Sequence, residues 1–204
     1  MPEHRSILSW LLVLRAAPMV PMPSHSFGAS VARSSFALPE PFIVIATQNP
    51  TEQIGVSPLP ESQLDRFSIS FSLGLPSDTV ESNILRDAVS GEENFEQGEP
   101  ILDAGDFNLL RRKCAQITFS DAIINYLQAL ATQLRATSLP NLSVRALIQI
   151  KGLAQAHAMI EARDYCLPED IQAVFTPALR HRLGPASGAS IALLQDILQQ
   201  VDVP

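Results

Sequence analysis

The chain has 204 residues, 46% of them hydrophobic, and a formal net charge of −7 at pH 7, which is enough for one or two domains with packed cores. An acidic chain without clustered basic residues argues against nucleic-acid binding. The two cysteines, Cys114 and Cys166, are too few for a disulfide framework, so we expect them in or near a core.

The first 37 residues carry no clear pattern of regular structure. Residues 7–14 form a short apolar run, whereas a membrane-spanning helix needs about twenty apolar residues. A basic start followed by a short apolar run is also typical of an export signal, but Arg15 interrupts the run. Pro18, Pro21 and Pro23 then break any regular element. We expect a divergent, poorly ordered segment, and favour a displaced, frame-shifted or fragmentary start over an export signal.

Residues 42–47, with the sequence FIVIAT, predict a strand. The run is apolar and rich in β-branched side chains, which favours a strand buried on both faces in a parallel, helix-covered sheet. Ligands of open α/β sheets bind beyond the carboxyl ends of the strands, so the amide of Asn49 could hold a phosphate oxygen or an attacking water. An Asn-Pro pair is also a common turn at a strand end, and the pattern alone favours that simpler interpretation.

The remaining elements are predicted to be one strand and then helices. Residues 69–76 indicate a final strand, after which the spacing of apolar residues becomes helical. Asp78, Ser120 and Ser143 lie at expected helix starts, and Pro168 lies in the first turn of another helix. The predicted helices cover residues 78–89, 105–116, 120–136, 143–162, 168–182 and 189–201.

Residues 38–67 carry a family resemblance. They read LPEPFIVIATQNPTEQIGVSPLPESQLDRF and closely resemble the MoxR family of AAA+ ATPases, whose sensor 1 strand is much like FIVIATQNP and is followed by a segment like YPLPEAQLDRF. The resemblance continues more loosely to the carboxyl end. It implies that Asn49 is the sensor 1 residue and that Arg66 is an arginine finger that acts on the nucleotide of a neighbouring subunit. Without the motif, Arg66 would be interpreted as a surface ion pair with Asp65 or Glu61.

Arg145 is a third candidate site residue. Ser143 is a credible helix cap, which places Arg145 in the first turn, where a cation costs about 0.3 to 1 kcal/mol unless an anion lies nearby. On helical position alone, an exposed arginine paired with a carboxylate is an equal alternative. The position is similar to the sensor 2 arginine of the family, commonly within a GASPRA-like motif, which implies that Arg145 reaches the γ-phosphate of ATP from the lid. Asn141, Leu142 and Val144 replace the usual Gly, Ala and Pro.

Residues 161–183 are similar to the GRDYVTPEDV and AHRL segments of the family, which we interpret as a structural helix junction. His157 and Glu161 lie four residues apart on a predicted helix. Two ligands fall short of the three or four that zinc sites use, so no metal site is predicted. His181 and Arg182 are expected to complement the negative end of a helix.

Two motifs of a self-sufficient nucleotide hydrolase are missing from the sequence. A Gly-Lys-Ser/Thr loop would hold the phosphates, and an acidic pair after a buried strand would hold magnesium. The only lysines are Lys113 and Lys151, and neither follows a glycine or precedes Ser or Thr. We therefore expect a truncated chain that is inactive alone.

The expected fold is an α/β P-loop NTPase core fragment of the AAA+ type followed by an all-α helical lid. The expected divisions are a divergent segment over 1–37, the core over 38–76 and the lid over 77–204. The resemblance implies a cytoplasmic hexameric ring of identical subunits that uses ATP and Mg²⁺ to remodel protein partners, including proteins with von Willebrand factor A domains. Asn49 and Arg145 would act on the nucleotide of their own subunit. The alternative is a non-catalytic interaction module, or lid fragment, that joins rings of intact homologues.

Overall fold

The structure is a computed structural model that describes residues 11–16, 28–31, 34–37, 41–48, 60–72, 76–90, 99–137, 142–183 and 188–204. The described residues form five strands and seven helices. The strands are β1 (Leu11–Ala16), β2 (Gly28–Val31), β3 (Ser34–Ala37), β4 (Ile43–Gln48) and β5 (Ile69–Ser72); the helices are α1 (Glu61–Leu64), α2 (Asp78–Ser90), α3 (Ala104–Gln116), α4 (Asp121–Arg135), α5 (Val144–Ile160), α6 (Pro168–Leu179) and α7 (Gly188–Gln200).

Three of the strands form one sheet in the order β4-β1-β5. β1 pairs antiparallel with both neighbours, so β4 and β5 run in the same direction on either side of it. β2 and β3 form a separate antiparallel pair. The middle strand of the sheet therefore comes from residues 11–16, within the segment expected to be poorly ordered.

The predicted environment of β4 is wrong for the described strands. The apolar run does form a strand, but its partner β1 is antiparallel rather than parallel. Ile43 and Ile45 are 42% and 59% exposed. β4 lies at one edge of the three-stranded sheet, and the described helices leave the face that bears these two side chains open to solvent.

The helix predictions are confirmed, with ends that differ by a few residues, and the short helix α1 is an addition to them. Side-chain caps account for the starts of three helices. The hydroxyls of Ser120 and Ser143 accept hydrogen bonds from backbone N–H groups of the first turns of α4 and α5. Asp103 and Asp106 bond to each other's backbone N–H groups in a reciprocal cap at the start of α3. None of the described helices is both long and apolar enough to cross a membrane.

The main hydrophobic core lies among helices α4 to α7. Residues of this core with no more than 1% exposure include Leu130, Leu134, Ile150, Ile171, Phe175, Leu179 and Leu194. Burying one such side chain contributes about 1.5 to 3 kcal/mol. Cys114 and Cys166 are buried free thiols, as the sequence predicted. The helical part therefore has a packed core of its own, and α6 also packs against β5.

Leu130 and Leu109 provide a matched test of this core. Leu130 is completely buried in α4, whereas Leu109 in α3 is 44% exposed. Leu130→Ala should lower the free energy of unfolding by about 2 to 5 kcal/mol, because it removes buried methyl groups and leaves a cavity. Leu109→Ala should cost less than about 1 kcal/mol. Urea unfolding followed by circular dichroism measures both values, and equal losses would contradict the described core.

Candidate functional site

Asp65 is the point at which the turn after α1 meets the helical part. Three side chains from α5 and from the end of α6 approach its carboxylate. The Ser143 hydroxyl donates a hydrogen bond to Asp65 Oδ1 at 2.9 Å. Arg182 Nε lies 3.3 Å from the same oxygen, and Arg145 Nη1 lies 3.6 Å from Oδ2. We call Asp65, Ser143, Arg145 and Arg182 the Asp65 junction.

Ser143 has two functions in this junction. Its oxygen accepts a hydrogen bond from the Ala146 N–H at 3.1 Å, which caps α5, while its hydroxyl hydrogen is directed to Asp65. One hydroxyl can donate once and accept at the same time. The start of α5 is therefore tied directly to the turn that carries Asp65 and Arg66.

Arg182 is the most buried charged member of the junction, with a side chain that is only 7% exposed. Its Nη2 group donates to the carbonyl oxygens of Phe67 at 2.7 Å and Asp65 at 3.3 Å, and also to Gln149 Oε1. Its Nη1 group donates to the Ala178 carbonyl in the last turn of α6. Burial lowers the pKa of Arg182 to about 10, and Asp65 opposes that shift. The guanidinium therefore stays charged at neutral pH and joins three segments of the chain.

His181 lies beside Arg182, and the expected role of its charge is wrong. Its Nε2 atom is 3.1 Å from the Phe67 carbonyl, which can only accept, so Nε2 carries the hydrogen. Nδ1 then accepts from the Ser70 hydroxyl at 3.0 Å. Burial, followed by the neighbouring positive charge of Arg182, lowers the pKa of His181 to about 4. His181 is thus neutral at neutral pH and holds β5 instead of complementing a helix end, whereas Arg182 does contact the end of α6.

Arg66 and Arg145 are the two exposed cations next to Asp65. Arg66 directly follows Asp65, and its carbonyl accepts a hydrogen bond from Gln149 Nε2 at 3.5 Å. The Arg145 side chain is 58% exposed in the first turn of α5. Arg145 therefore shows the carboxylate contact that the alternative interpretation anticipated, and its exposure leaves the guanidinium accessible to an anion. Asn49, the third candidate, lies outside the described residues.

A second charged cluster lies inside the helical part and is structural. The Asp170 carboxylate is buried and accepts hydrogen bonds from both terminal nitrogens of Arg163, at 2.6 and 2.7 Å, and from the Leu167 N–H. His157 Nδ1 lies 2.7 Å from the same carboxylate. Burial alone would raise the pKa of Asp170, but these hydrogen bonds lower it to about 2. The cluster fixes the chain between α5 and α6, in line with the structural helix junction predicted for this segment. His157 contributes to it by its contact with Asp170.

Sequence reasoning missed the convergence on Asp65. The signals were present as single residues, namely an aspartate before Arg66 and an arginine, Arg182, after α6. Asp65 and Arg182 are separated by 117 positions, and neither spacing nor periodicity connects positions so far apart. The packing of α6 against β5 brings them together.

Comparison with known proteins agrees with this fold. The crystal structure of a candidate ATPase from Cytophaga hutchinsonii superposes with a TM-score of 0.72 at 30% sequence identity, over 87% of this chain and 58% of that one. Residues 21–69 match the family of ATPases associated with various cellular activities (AAA). Residues 128–201 match the AAA lid domain. The class of protein is therefore an AAA+ ATPase with a helical lid.

Two curated relatives indicate which family of AAA+ ATPases the chain belongs to. The chain is 34% identical over 166 residues to the chaperone MoxR1 of Mycobacterium tuberculosis, covering 76% of this chain and 43% of the relative. It is also 34% identical over 175 residues to the uncharacterized protein YeaC of Bacillus subtilis, covering 82% of this chain and 54% of the relative. The chain belongs to the MoxR-like AAA+ ATPases. It spans about half the length of the curated relatives that it matches.

The lowered pKa of His181 predicts how stability depends on pH. The pKa of His181 falls from 6.5 to about 4 on folding, so the unfolded chain binds the proton more tightly than the folded one. The free energy of unfolding is therefore undiminished by this group above pH 6.5 and decreases as the pH falls towards 4. When the pH is lowered from about 7 to about 5, protonation of this group should reduce the free energy of unfolding of the wild type by about 2 kcal/mol. His181→Gln keeps a donor and an acceptor without a titrating ring, so its stability should fall less over this interval. Urea unfolding at the two pH values tests this, and the same loss in both proteins would contradict the assignment.

Proposed function

We propose that the chain supplies the sensing, arginine-finger and lid parts of a MoxR-like ATP site. The Asp65 junction carries this proposal, because it brings the turn with Arg66 and the helix start with Arg145 to one carboxylate. The exposed guanidinium of Arg145 suits contact with the phosphate oxygens of ATP in its own subunit, and that of Arg66, on the adjoining turn, suits contact with ATP in a neighbouring subunit.

Arg66 acts as the arginine finger in this proposal. Phosphoryl transfer spreads negative charge over the equatorial oxygens, and an arginine supplied from a neighbouring subunit stabilises that charge. The guanidinium of Arg66 is exposed while its backbone is held by Gln149. An exposed side chain on a fixed backbone is what action across a subunit interface requires.

Arg145 acts from the lid as the sensor 2 residue on the γ-phosphate. It lies in the first turn of α5, where the backbone N–H groups and the helix dipole also favour an anion. Binding a phosphate there would reverse the cost of placing a cation at this end of the helix. Asn49 is proposed as the sensor 1 residue on the resemblance of its segment alone.

ATP and Mg²⁺ are the ligands that membership of the family implies. Each cation fits the phosphate end of a nucleotide, Arg145 in its own subunit and Arg66 in the neighbouring one, and when bound the magnesium ion would neutralise charge on the β- and γ-phosphates. The sequence carries no Gly-Lys-Ser/Thr loop to hold them. We therefore propose that residues 1–204 do not hydrolyse ATP by themselves and that Arg66 serves the nucleotide site of a neighbouring subunit.

The wider setting belongs to the same proposal. AAA+ proteins assemble into oligomers, and a hexameric ring in the cytoplasm would place Arg66 at a subunit interface. One relative is named a chaperone, which supports ATP-dependent remodelling of protein partners. Proteins with von Willebrand factor A domains are the proposed partners, on family resemblance.

A second candidate function is a non-catalytic module that joins rings of intact homologues. The observation in its favour is the separate hydrophobic core of helices α4 to α7, which gives the lid a packing that does not depend on the strands. Such a module would associate with a ring without contributing Arg66 to catalysis.

The two functions are separated by ATP hydrolysis in mixed assemblies. The recipient is an intact MoxR-like relative in which the arginine matching Arg66 is replaced by alanine, so that it lacks its own finger. Adding the wild-type chain should restore turnover, whereas Arg66→Ala should leave it lower by about three to five orders of magnitude. Steady-state ATPase assays at saturating ATP measure both.

Arg112→Ala provides the matched control, because Arg112 is an exposed arginine on α3, which contributes no residue to the Asp65 junction. It should restore turnover as fully as the wild type. Equal restoration by Arg66→Ala would reject the finger function. Association of the wild-type chain with the ring without any restoration of turnover would favour the non-catalytic module. Turnover by the purified chain alone that depends on Arg66 would contradict the need for a phosphate loop elsewhere.

A further inference from the structure

Arg182 is hydrogen-bonded to the backbone on both sides of Arg66, the residue proposed as the arginine finger. It donates to the carbonyl of Asp65, immediately before Arg66, and to the carbonyl of Phe67, immediately after it. The Phe67 carbonyl also accepts from His181. The backbone of the turn is therefore bonded to the chain segment after α6, while the Arg66 side chain itself is exposed.

The same guanidinium reaches the helices of the lid. Arg182 donates to Gln149 on α5 and to the Ala178 carbonyl on α6. Gln149 also donates to the carbonyl of Arg66 at 3.5 Å. One side chain and its neighbour thus connect the finger turn to two lid helices at once.

Charge explains why this connection is specific. A guanidinium with 7% exposure has lost most of its hydration, and leaving it without an anion would be strongly destabilising. Among the described residues, Asp65 is the carboxylate in contact with it, 3.3 Å from Nε. The turn must therefore remain against the lid for the buried charge to stay neutralised.

We propose that Arg182 is a positioning residue that, together with Asp65, fixes the Arg66 turn to the lid so that the two move as one body. The proposal rests on the function given above for Arg66. Because Arg182 and Gln149 bond the turn to the lid, a movement of the lid would also move Arg66 relative to the nucleotide site of the neighbouring subunit.

Hydrogen exchange of the full chain tests the positioning without any ATPase assay. Arg182→Met keeps an apolar stem of similar length and removes the hydrogen bonds to the turn. Amides of residues 64–69 should exchange about tenfold faster, which corresponds to about 1.4 kcal/mol of local stability. Arg182→Lys should restore part of the protection, because it keeps the charge near Asp65 without the planar fork.

Arg163→Met is the matched control. Arg163 also donates two hydrogen bonds to a buried aspartate, Asp170, but that pair lies within the lid. This variant should speed exchange in residues 161–171 and leave residues 64–69 unchanged. If Arg182→Met fails to fold, Asp65→Asn provides the milder test, since it removes the counter-charge and keeps the bonds of Arg182 to the carbonyls. Unchanged exchange of residues 64–69 in the folded Arg182 or Asp65 variant would overturn the positioning.

The mixed assembly described above tests the consequence for catalysis. Arg182→Met should lower the restored kcat about tenfold with the KM for ATP unchanged, whereas Arg163→Met should restore turnover like the wild type. Faster exchange with an undiminished kcat would overturn the link to catalysis. If the wild-type chain restores no turnover, the finger function fails, and the exchange result alone then decides whether Arg182 positions the turn.

Discussion

The buried guanidinium of Arg182 is the constraint on which the arrangement of this protein depends. A charge removed from water is costly unless an opposite charge lies close by and acceptors are available for its hydrogen bonds. Here Asp65 neutralises it, and carbonyl oxygens from the Arg66 turn and from α6 accept its hydrogen bonds. This requirement selects one way for the helical part to lie against the last strand of the core.

The rest of the junction follows from that placement. Once Asp65 is held, the Ser143 hydroxyl can cap α5 and donate to the carboxylate at the same time. Arg145, two residues later, then lies beside the same carboxylate with an exposed guanidinium. His181 adds a neutral contact to Phe67 and Ser70, because burial and the charge of Arg182 disfavour its protonation. Local helix capping and the distant packing of α6 on β5 thus meet in one cluster.

The sequence predicted the local parts of this fold well. Helix starts were identified because Ser120, Ser143 and Pro168 act within a few residues of their own position. The family was recognised from a contiguous segment of about thirty residues, and the comparisons confirm it. Arg66 and Arg145 were found for the same reason, although their catalytic roles remain predictions.

The long-range parts could not be predicted in the same way. An apolar run such as residues 42–47 specifies a strand, but not which strand lies beside it, and β4 proved to pair with an antiparallel segment from residues 11–16. Likewise, the charge of His181 suggested a helix-end role, whereas its burial depends on Phe67 and Ser70, more than a hundred positions away. Partners this far apart in the chain leave no periodic signal in a single sequence.

Arg66 of this chain is proposed to complete the nucleotide site of a neighbouring subunit. The most direct measurement is an electron cryomicroscopy structure of the chain mixed with an intact MoxR-like relative and a non-hydrolysable ATP analogue. The account predicts that Arg66 of this chain lies within hydrogen-bonding distance of the γ-phosphate bound by the relative, with Arg182 still on Asp65. An ordered interface in which Arg66 faces away from every nucleotide would contradict it.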